Sequence, residues 1–287
     1  MDLALLLVFS APVALAAIGE TFAQKAGVLN IGLEGSMLCG AYFAMLADQL
    51  TGSPWIGLAV GTAIGLIIAL LQALFTIRLA ADQAVVGAAA NLFALGLTGT
   101  LFRARYGESG QLLSVARVPA WHGLDAVIIF MLASIPIAWL LLKKTGWGLA
   151  LRAAGEYPKS VEAAGFSVSA LRTHGLMISG LMAGLGGAYL AAGIAGSFAE
   201  NMTAGRGFVA IAMVTFGRWN PWLVVAAALV VGYTESLQFT LQARGIALPH
   251  QLFLAMPYLV ALLVLVIAGK GTLAPRALGT AYRKEGA

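Results

Sequence analysis

The residues best equipped for chemistry are a few hydrophilic ones set among apolar neighbours. Asn30 and Glu34 stand four apart inside the run GVLNIGLEG, between Gly27 and Gly35. On a helix that spacing places an amide and a carboxylate on one face. Arg206 sits between Gly205 and Gly207, ahead of a short apolar run ending at Phe216. Glu235 and Gln238, three apart, share another helical face. Asn91 is an amide within an apolar stretch, and Phe208 and Phe239 offer rings that could stack on a flat ligand. An ionisable group in an apolar medium needs a partner or a water-filled cavity. Glu34 therefore either lines a hydrophilic route through a partly unwound segment or is paired to a neighbouring helix for structure alone. The glycines around Glu34 and Arg206 permit irregular backbone, which is tolerated in a membrane only inside protein or along water. The two Gly-flanked runs could be counterparts in an inverted repeat, a common transporter device.

The medium follows from composition. The 287 residues are 60% hydrophobic and only 10% charged, and the mean hydropathy is +0.90. An average soluble domain is about 45–50% apolar and about 25% charged. Too few charges remain to cover a water-exposed surface. The expected fold is all-α and polytopic: one transmembrane domain over residues 1–287, with about eight spans of roughly 20 residues each plus re-entrant or broken helices. The apolar segments are Leu3–Gly19, Ile31–Leu50, Trp55–Leu79, Ala84–Phe102, Leu124–Leu142, Thr173–Gly196, Pro221–Leu241 and Leu252–Gly269. The run Gly207–Phe216 is too short to cross about 30 Å at about 1.5 Å per residue, so a half-helix or re-entrant segment is expected there. Gly180, Gly184 and Gly187 form a close-packing stripe on the sixth span. Pro136 and Pro257 lie inside spans, where each removes a backbone donor. The N-terminus lacks the basic start of a cleavable signal and reads as the first span.

Orientation follows from Lys and Arg. With the loop Lys143–Arg172 in the cytoplasm, the inside set is Lys25, Arg78, Lys143, Lys144, Arg152, Lys159, Arg172, Arg218, Lys270, Arg276, Arg283 and Lys284. Arg103, Arg105, Arg117, Arg206 and Arg244 fall outside. Positive charge concentrates on cytoplasmic loops, so the N-terminus is expected outside and the C-terminus in the cytoplasm. Trp55, Trp121 and Trp222 mark span ends, as interfacial aromatics do. The net charge of +5 is scattered among apolar segments and points to no nucleic acid.

Several chemistries have no sequence support. The GKGT at Gly269–Thr272 lacks the upstream glycine of a phosphate-binding loop, so this chain is not expected to hydrolyse ATP or hold a cofactor. His122, His174 and His250 are isolated, and no metal site is readable. Cys39 has no partner for an internal disulfide. A polytopic enzyme would need a catalytic cluster near one interface, and none is readable.

The longest polar stretch is Gly146–Arg172, GWGLALRAAGEYPKSVEAAGFSVSALR. Pro158 stands where a short helix would start and Gly165 where it would end. Such a helix across a cytoplasmic face is either a docking surface or an ordinary solvated loop. The stretch resembles the coupling loop of ABC importer permeases: an Arg-Ala pair, Gly-Glu before Pro, then Ala-Ala-Gly and an apolar residue. GVLNIGLEG, ADQAVVGAAANL (residues 81–92), GRGFVAIAMVTFGRWNP (205–221) and the tail MPYLVALLVLVIAGKG with APRALGTAY are similar to runs of the nucleoside and simple-sugar permeases. The ordered set covers nearly the whole chain. Branched-chain amino-acid permeases share the fold and part of the pattern.

The resemblance implies a permease subunit of an ATP-driven importer in a bacterial inner membrane, with no enzymatic activity of its own. ATP would bind a partner ATP-binding cassette subunit docked on Arg152, Gly155, Glu156, Pro158, Glu162, Ala163, Ala164 and Gly165. A second permease chain, identical or homologous, would complete the pore, and an extracytoplasmic binding protein would deliver substrate. Nucleosides or related sugars are the implied cargo. Their hydroxyls and base edges suit Asn30, Glu34, Asn91, Arg206, Phe208, Glu235 and Gln238 as pathway residues. The alternatives are a branched-chain amino-acid permease and an ion-coupled secondary transporter, in which Glu34 and Glu235 would serve.

Overall fold

The structure, a computed structural model, describes residues 3–107, 116–121, 124–243, 256, 259 and 274–282. Its helices are α1 (Leu3–Lys25), α2 (Leu33–Thr51), α3 (Pro54–Ala73), α4 (Gln83–Tyr106), α5 (Ala126–Lys144), α6 (Gly146–Glu156), α7 (Pro158–Ala163), α8 (Val168–Tyr189), α9 (Arg206–Phe216) and α10 (Pro221–Ala243). The last turns of α3 and α8 widen into π-helix over Leu74–Arg78 and Leu190–Ala195. A two-residue β-hairpin, Ala120–Trp121 against Leu124–Asp125, precedes α5.

Local chemistry sets many of these boundaries. Pro54 and Pro158 open α3 and α7, where a missing N–H is harmless. The Asp82 carboxylate accepts from the N–H groups of Ala84 (2.8 Å) and Val85 (3.0 Å) at the start of α4. Asp125 does the same for Ile128 in α5 and also accepts from the Tyr189 hydroxyl. Gly165, at φ 81°, follows α7 in left-handed geometry. Both expected limits of the short helix, Pro158 and Gly165, match.

Among the described residues, six helices are long and apolar enough to cross a membrane: α1, α3, α4, α5, α8 and α10, with α3 and α8 counted through their π-helical turns. That is fewer than the eight segments read from the sequence. The second segment forms α2, a 19-residue helix carrying Glu34 and Asp48. It packs on α3, α8, α4 and α9. A helix wrapped by protein need not be uniformly apolar, which is why α2 falls short of lipid-facing character. The eighth segment, with Pro257, lies outside the described residues except Met256 and Leu259. The expected half-helix is α9, whose 11 residues span roughly 16 Å.

The core is a tight stack of α1, α2, α3 and α8. Lipid supplies no hydrophobic drive between helices, so close backbone approach through small residues does the packing. Gly40, Gly61, Gly65, Gly180 and Gly184 meet at one crossing: a Cβ on Gly65 would fall 2.3 Å from the Gly180 carbonyl, and one on Gly61 2.6 Å from that of Gly40. Gly187 is likewise pressed against the Met37 carbonyl.

One end of the molecule gathers the connector after α1, helices α6 and α7, and the tail. The Ala277 N–H donates to the Gly155 carbonyl (2.8 Å), Gly279 to Gly27 (3.2 Å), and the Arg172 guanidinium to the Thr280 carbonyl (2.7 Å). Lys25 lies over the Trp219 ring at this same end. Several members of the expected inside set, Lys25, Arg152, Arg172, Arg218 and Arg276, thus share one face of the bundle. Gly65→Val should lower the melting temperature of detergent-purified protein, by an overpacking penalty of about 1–3 kcal/mol or more. Ala88→Val, on the exposed side of α4, should stay within about 0.5 kcal/mol.

Candidate functional site

Two broken segments meet in the interior. The first is residues 26–32, which leave helical geometry between α1 and α2. The second is residues 196–205, which return from α8 to the start of α9. Glu34, in the first turn of α2, joins them. Its Oε1 accepts from the Gly205 N–H (2.8 Å) and its Oε2 from the Gly207 N–H (2.6 Å). The first N–H groups of any helix lack intrahelical acceptors and carry partial positive charge, so a carboxylate there is doubly favourable. The approach requires glycine: a Cβ on Gly207 would lie 2.5 Å from the Glu34 Cα and N.

The irregular 26–32 backbone is held by side chains from two helices, with a third behind them. Gln83 of α4 accepts from the Leu29 N–H (2.8 Å). Asn91 of α4 donates to the Ile31 carbonyl (2.9 Å) and accepts from the Gly35 N–H (2.8 Å). Glu20 of α1, fully buried, accepts from the Asn30 N–H (3.1 Å), from Gln24 Nε2 (3.0 Å) and from the Ser179 hydroxyl of α8 (2.8 Å). Asn30 Nδ2 donates to Ser179 Oγ (3.0 Å), and Trp219 Nε1 donates to Gln24 Oε1 (2.8 Å). Backbone freed from a helix at this depth has no water to turn to, and these groups replace it.

The pathway residues read from sequence divide accordingly. Asn30, Glu34 and Asn91 come together, but Asn30 and Glu34 do not share a helical face. Asn30 precedes α2 and turns toward α1 and α8, while Glu34 turns toward α9. The four-residue spacing failed because the chain there is unwound, as its glycines allow. Arg206 and Glu235 form an ion pair (3.2 Å), with side chains 22% and 12% exposed. Arg206 also donates to the Met202 carbonyl (3.1 Å). Gln238 is half-buried one turn further along α10. Phe208 and Phe239 are 49% and 59% exposed, on outer surfaces of the chain. Phe239 packs near Phe9.

Glu20, Gln24, Gln83 and Ser179 escaped the sequence reading. Ending the first span at Gly19 removed Glu20 from view, whereas α1 runs on to Lys25. The four-residue spacing of Glu20 and Gln24 on a continuing helix was the available signal.

The 146–172 stretch forms α6, α7 and the start of α8. Gly155 faces inward: a Cβ there would lie 2.3 Å from the Lys25 carbonyl. Arg152, Glu156, Pro158 and Glu162 are half-buried, and Glu156 and Tyr157 bond to Arg276 of the tail. Ala163, Ala164, Gly165 and Phe166 are exposed. Among the residues expected to dock a partner, the outward ones are therefore at the end of α7 and the turn after it.

Apolar helices in this number, with hydrophilic broken segments sealed among them, define a multi-pass membrane protein built like a permease. The chain belongs to the family described as branched-chain amino acid transport system, permease component, whose model matches residues 3–269. It is 34% identical over 303 residues to the guanosine ABC transporter permease protein NupQ of Bacillus subtilis, covering 97% of this chain and 95% of that one. It is 33% identical over 304 residues to the nucleoside ABC transporter permease protein NupC of Lactococcus lactis subsp. cremoris, covering 98% and 96%. Similarity extends to the putative glucose ABC transporter permease protein TsgC13 of Haloferax volcanii, at 31% over 249 residues and 82% and 75% coverage. No solved structure matches the chain. The chain is a membrane permease component and not an enzyme.

Glu34→Ala should destabilise the protein by about 1–3 kcal/mol for each backbone N–H it orphans. Glu34→Gln keeps an acceptor and should lose less. Thermal unfolding of the purified variants checks both. For Arg206→Gln and Glu235→Gln, a double-mutant cycle should return a coupling of about 0.5–3 kcal/mol.

Proposed function

We propose that this chain is the membrane-spanning permease subunit of an importer that moves nucleosides, or related simple sugars, using ATP hydrolysed on a separate subunit. The observation that carries the substrate class is end-to-end similarity to permeases named for guanosine and nucleosides. The glucose-named relative keeps sugars in view, and a hydroxyl-bearing sugar ring is the chemistry common to both. The chain itself binds no cofactor in this reading; ATP belongs to the partner.

Energy enters at the end that carries α6 and α7. The exposed turn from Ala163 to Phe166 is the contact surface for the ATP-binding subunit. Gly155 and Glu156 brace it against α1 and the tail, and Arg152, Pro158 and Glu162 flank the same platform. That end faces the cytoplasm, consistent with its Lys and Arg, and leaves the N-terminus outside. Movement of this platform reaches the interior directly, because Gly155 touches the 25–27 connector, which leads to Asn30 and Glu34. A second permease chain completes the route, and an extracytoplasmic binding protein supplies the cargo. The membrane is the inner membrane of a bacterium.

Proteoliposomes holding the permease pair and ATPase, supplied with binding protein, should accumulate labelled guanosine only when ATP is present on the ATPase side. Accumulation without the ATPase would mean a secondary transporter. Uptake of leucine in place of guanosine would move the chain to amino-acid transport. Ala164→Arg should cut capture of the ATPase at least about tenfold, as loss of a packed interface contact does, with melting unchanged.

A further inference from the structure

At the end of α4 away from α6 and α7, an open groove of about 400 Å³ runs between α4 and the 196–205 segment. That volume is in the range of small-molecule sites, about 300–1,000 Å³. Its lower edge is Leu92, the neighbour of Asn91, and its other wall ends at Asn201, four residues before the Gly205 that Glu34 holds. The groove is thus lined by residues that lead in sequence to the junction of the two broken segments.

Its floor is bare. A Cβ on Gly96 would meet nothing within 4 Å, and one on Gly99 only the Glu200 carboxylate, at 3.6 Å, among the described residues. This is the reverse of Gly65 and Gly180, where backbone contact forbids a side chain. Glycine inside a helix forfeits about 1 kcal/mol against alanine, and here packing returns nothing. What the two glycines preserve is space.

One part of the lining is hydrophilic. Arg103 Nε and Nη2 donate to the two Glu200 oxygens at 2.7 and 2.6 Å, yet the side chains remain 60% and 35% exposed. The bonds from Arg103 hold Glu200 below the usual carboxylate range, so it is ionised at neutral pH. Each of its oxygens has one guanidinium partner, and a carboxylate has about four acceptor positions. Two parallel acceptor sites match the two hydroxyl donors of a vicinal diol. Thr100 and Asn201 add a hydroxyl and an amide, and Asn201 is held at φ 57°, a backbone region few non-glycine residues occupy.

We propose that this groove is a nucleoside-holding subsite. The ribose diol bonds Glu200, Arg103 fixes that carboxylate, and the flat base lies on the Gly96–Gly99 floor against Leu92 and Leu95. The assignment rests on the nucleoside reading above and gives it a place in the chain.

Cys39 is fully buried, so the unmodified chain is the blank for thiol labelling. Gly96→Cys and Gly99→Cys, with Ala88→Cys as an off-groove control, are placed in the full complex in proteoliposomes and treated with a charged, membrane-impermeant methanethiosulfonate. Both groove thiols should label, and guanosine, but not leucine, should slow labelling at least about fivefold, as occupancy of a site does. Glu200→Gln should raise the guanosine concentration at half-maximal uptake about tenfold or more, the loss of a charged hydrogen-bond acceptor, with maximal rate within about twofold. Thiols that do not label, or that guanosine does not shield, overturn the subsite. If the unmodified complex still takes up guanosine in that case, the transport reading stands alone. If it does not, both fall. Shielding without uptake keeps the subsite and rejects transport.

Discussion

The Glu34 carboxylate on the start of α9 is the contact around which the interior is arranged. A bilayer offers no water to a helix that breaks within it, so every freed N–H and carbonyl must be met by protein. Here two breaks are placed side by side, and one side chain serves the second from the first turn after the first. Gly207 makes the approach sterically possible, and Gly205 turns the chain into it. Gln83, Asn91 and Glu20 then complete the first break from the opposite sides. The outcome is a hydrophilic seam inside a bundle whose outer faces are leucine, isoleucine and phenylalanine.

That seam is well suited to motion. The helices around it, α1, α2, α3 and α8, are locked by glycine crossings with almost no compliance, since packed interiors shift between discrete arrangements more readily than they deform. The broken segments are joined by hydrogen bonds instead. Such contacts can be exchanged for others of similar strength in a second conformation. The rigid stack and the exchangeable seam touch the same short connector, residues 25–27, which also abuts Gly155. Gly155 of α6 thus lies in direct contact with the connector that leads into the seam.

The glycines illustrate why residue type alone underdetermines role. Gly65 and Gly180 sit at a backbone crossing, Gly207 admits a carboxylate, Gly155 admits the α1 terminus, and Gly96 and Gly99 adjoin open space. In sequence Gly65, Gly96, Gly99 and Gly180 all lie among similar small and apolar residues. What separates them is the presence or absence of an atom where a Cβ would be.

Composition and order along the chain established the medium, the helical class, the half-helix near Gly207–Phe216, the turn from Pro158 to Gly165 and the family. These depend on local chemistry: hydrophobic length, proline and glycine geometry, and motif order. The pairing of distant groups was decided only by tertiary structure. Glu34 with Gly205 and Gly207, Arg206 with Glu235, and Glu20 with Asn30 and Ser179 join segments whose spacing along the chain carries no signal of contact. The same is true of α2, whose mixed composition is intelligible only once its neighbours shield it from lipid. A sequence states which groups need partners in a membrane; the packing of helices alone chooses which partner each one finds, because that choice depends on distances of a few ångströms between residues far apart in the chain.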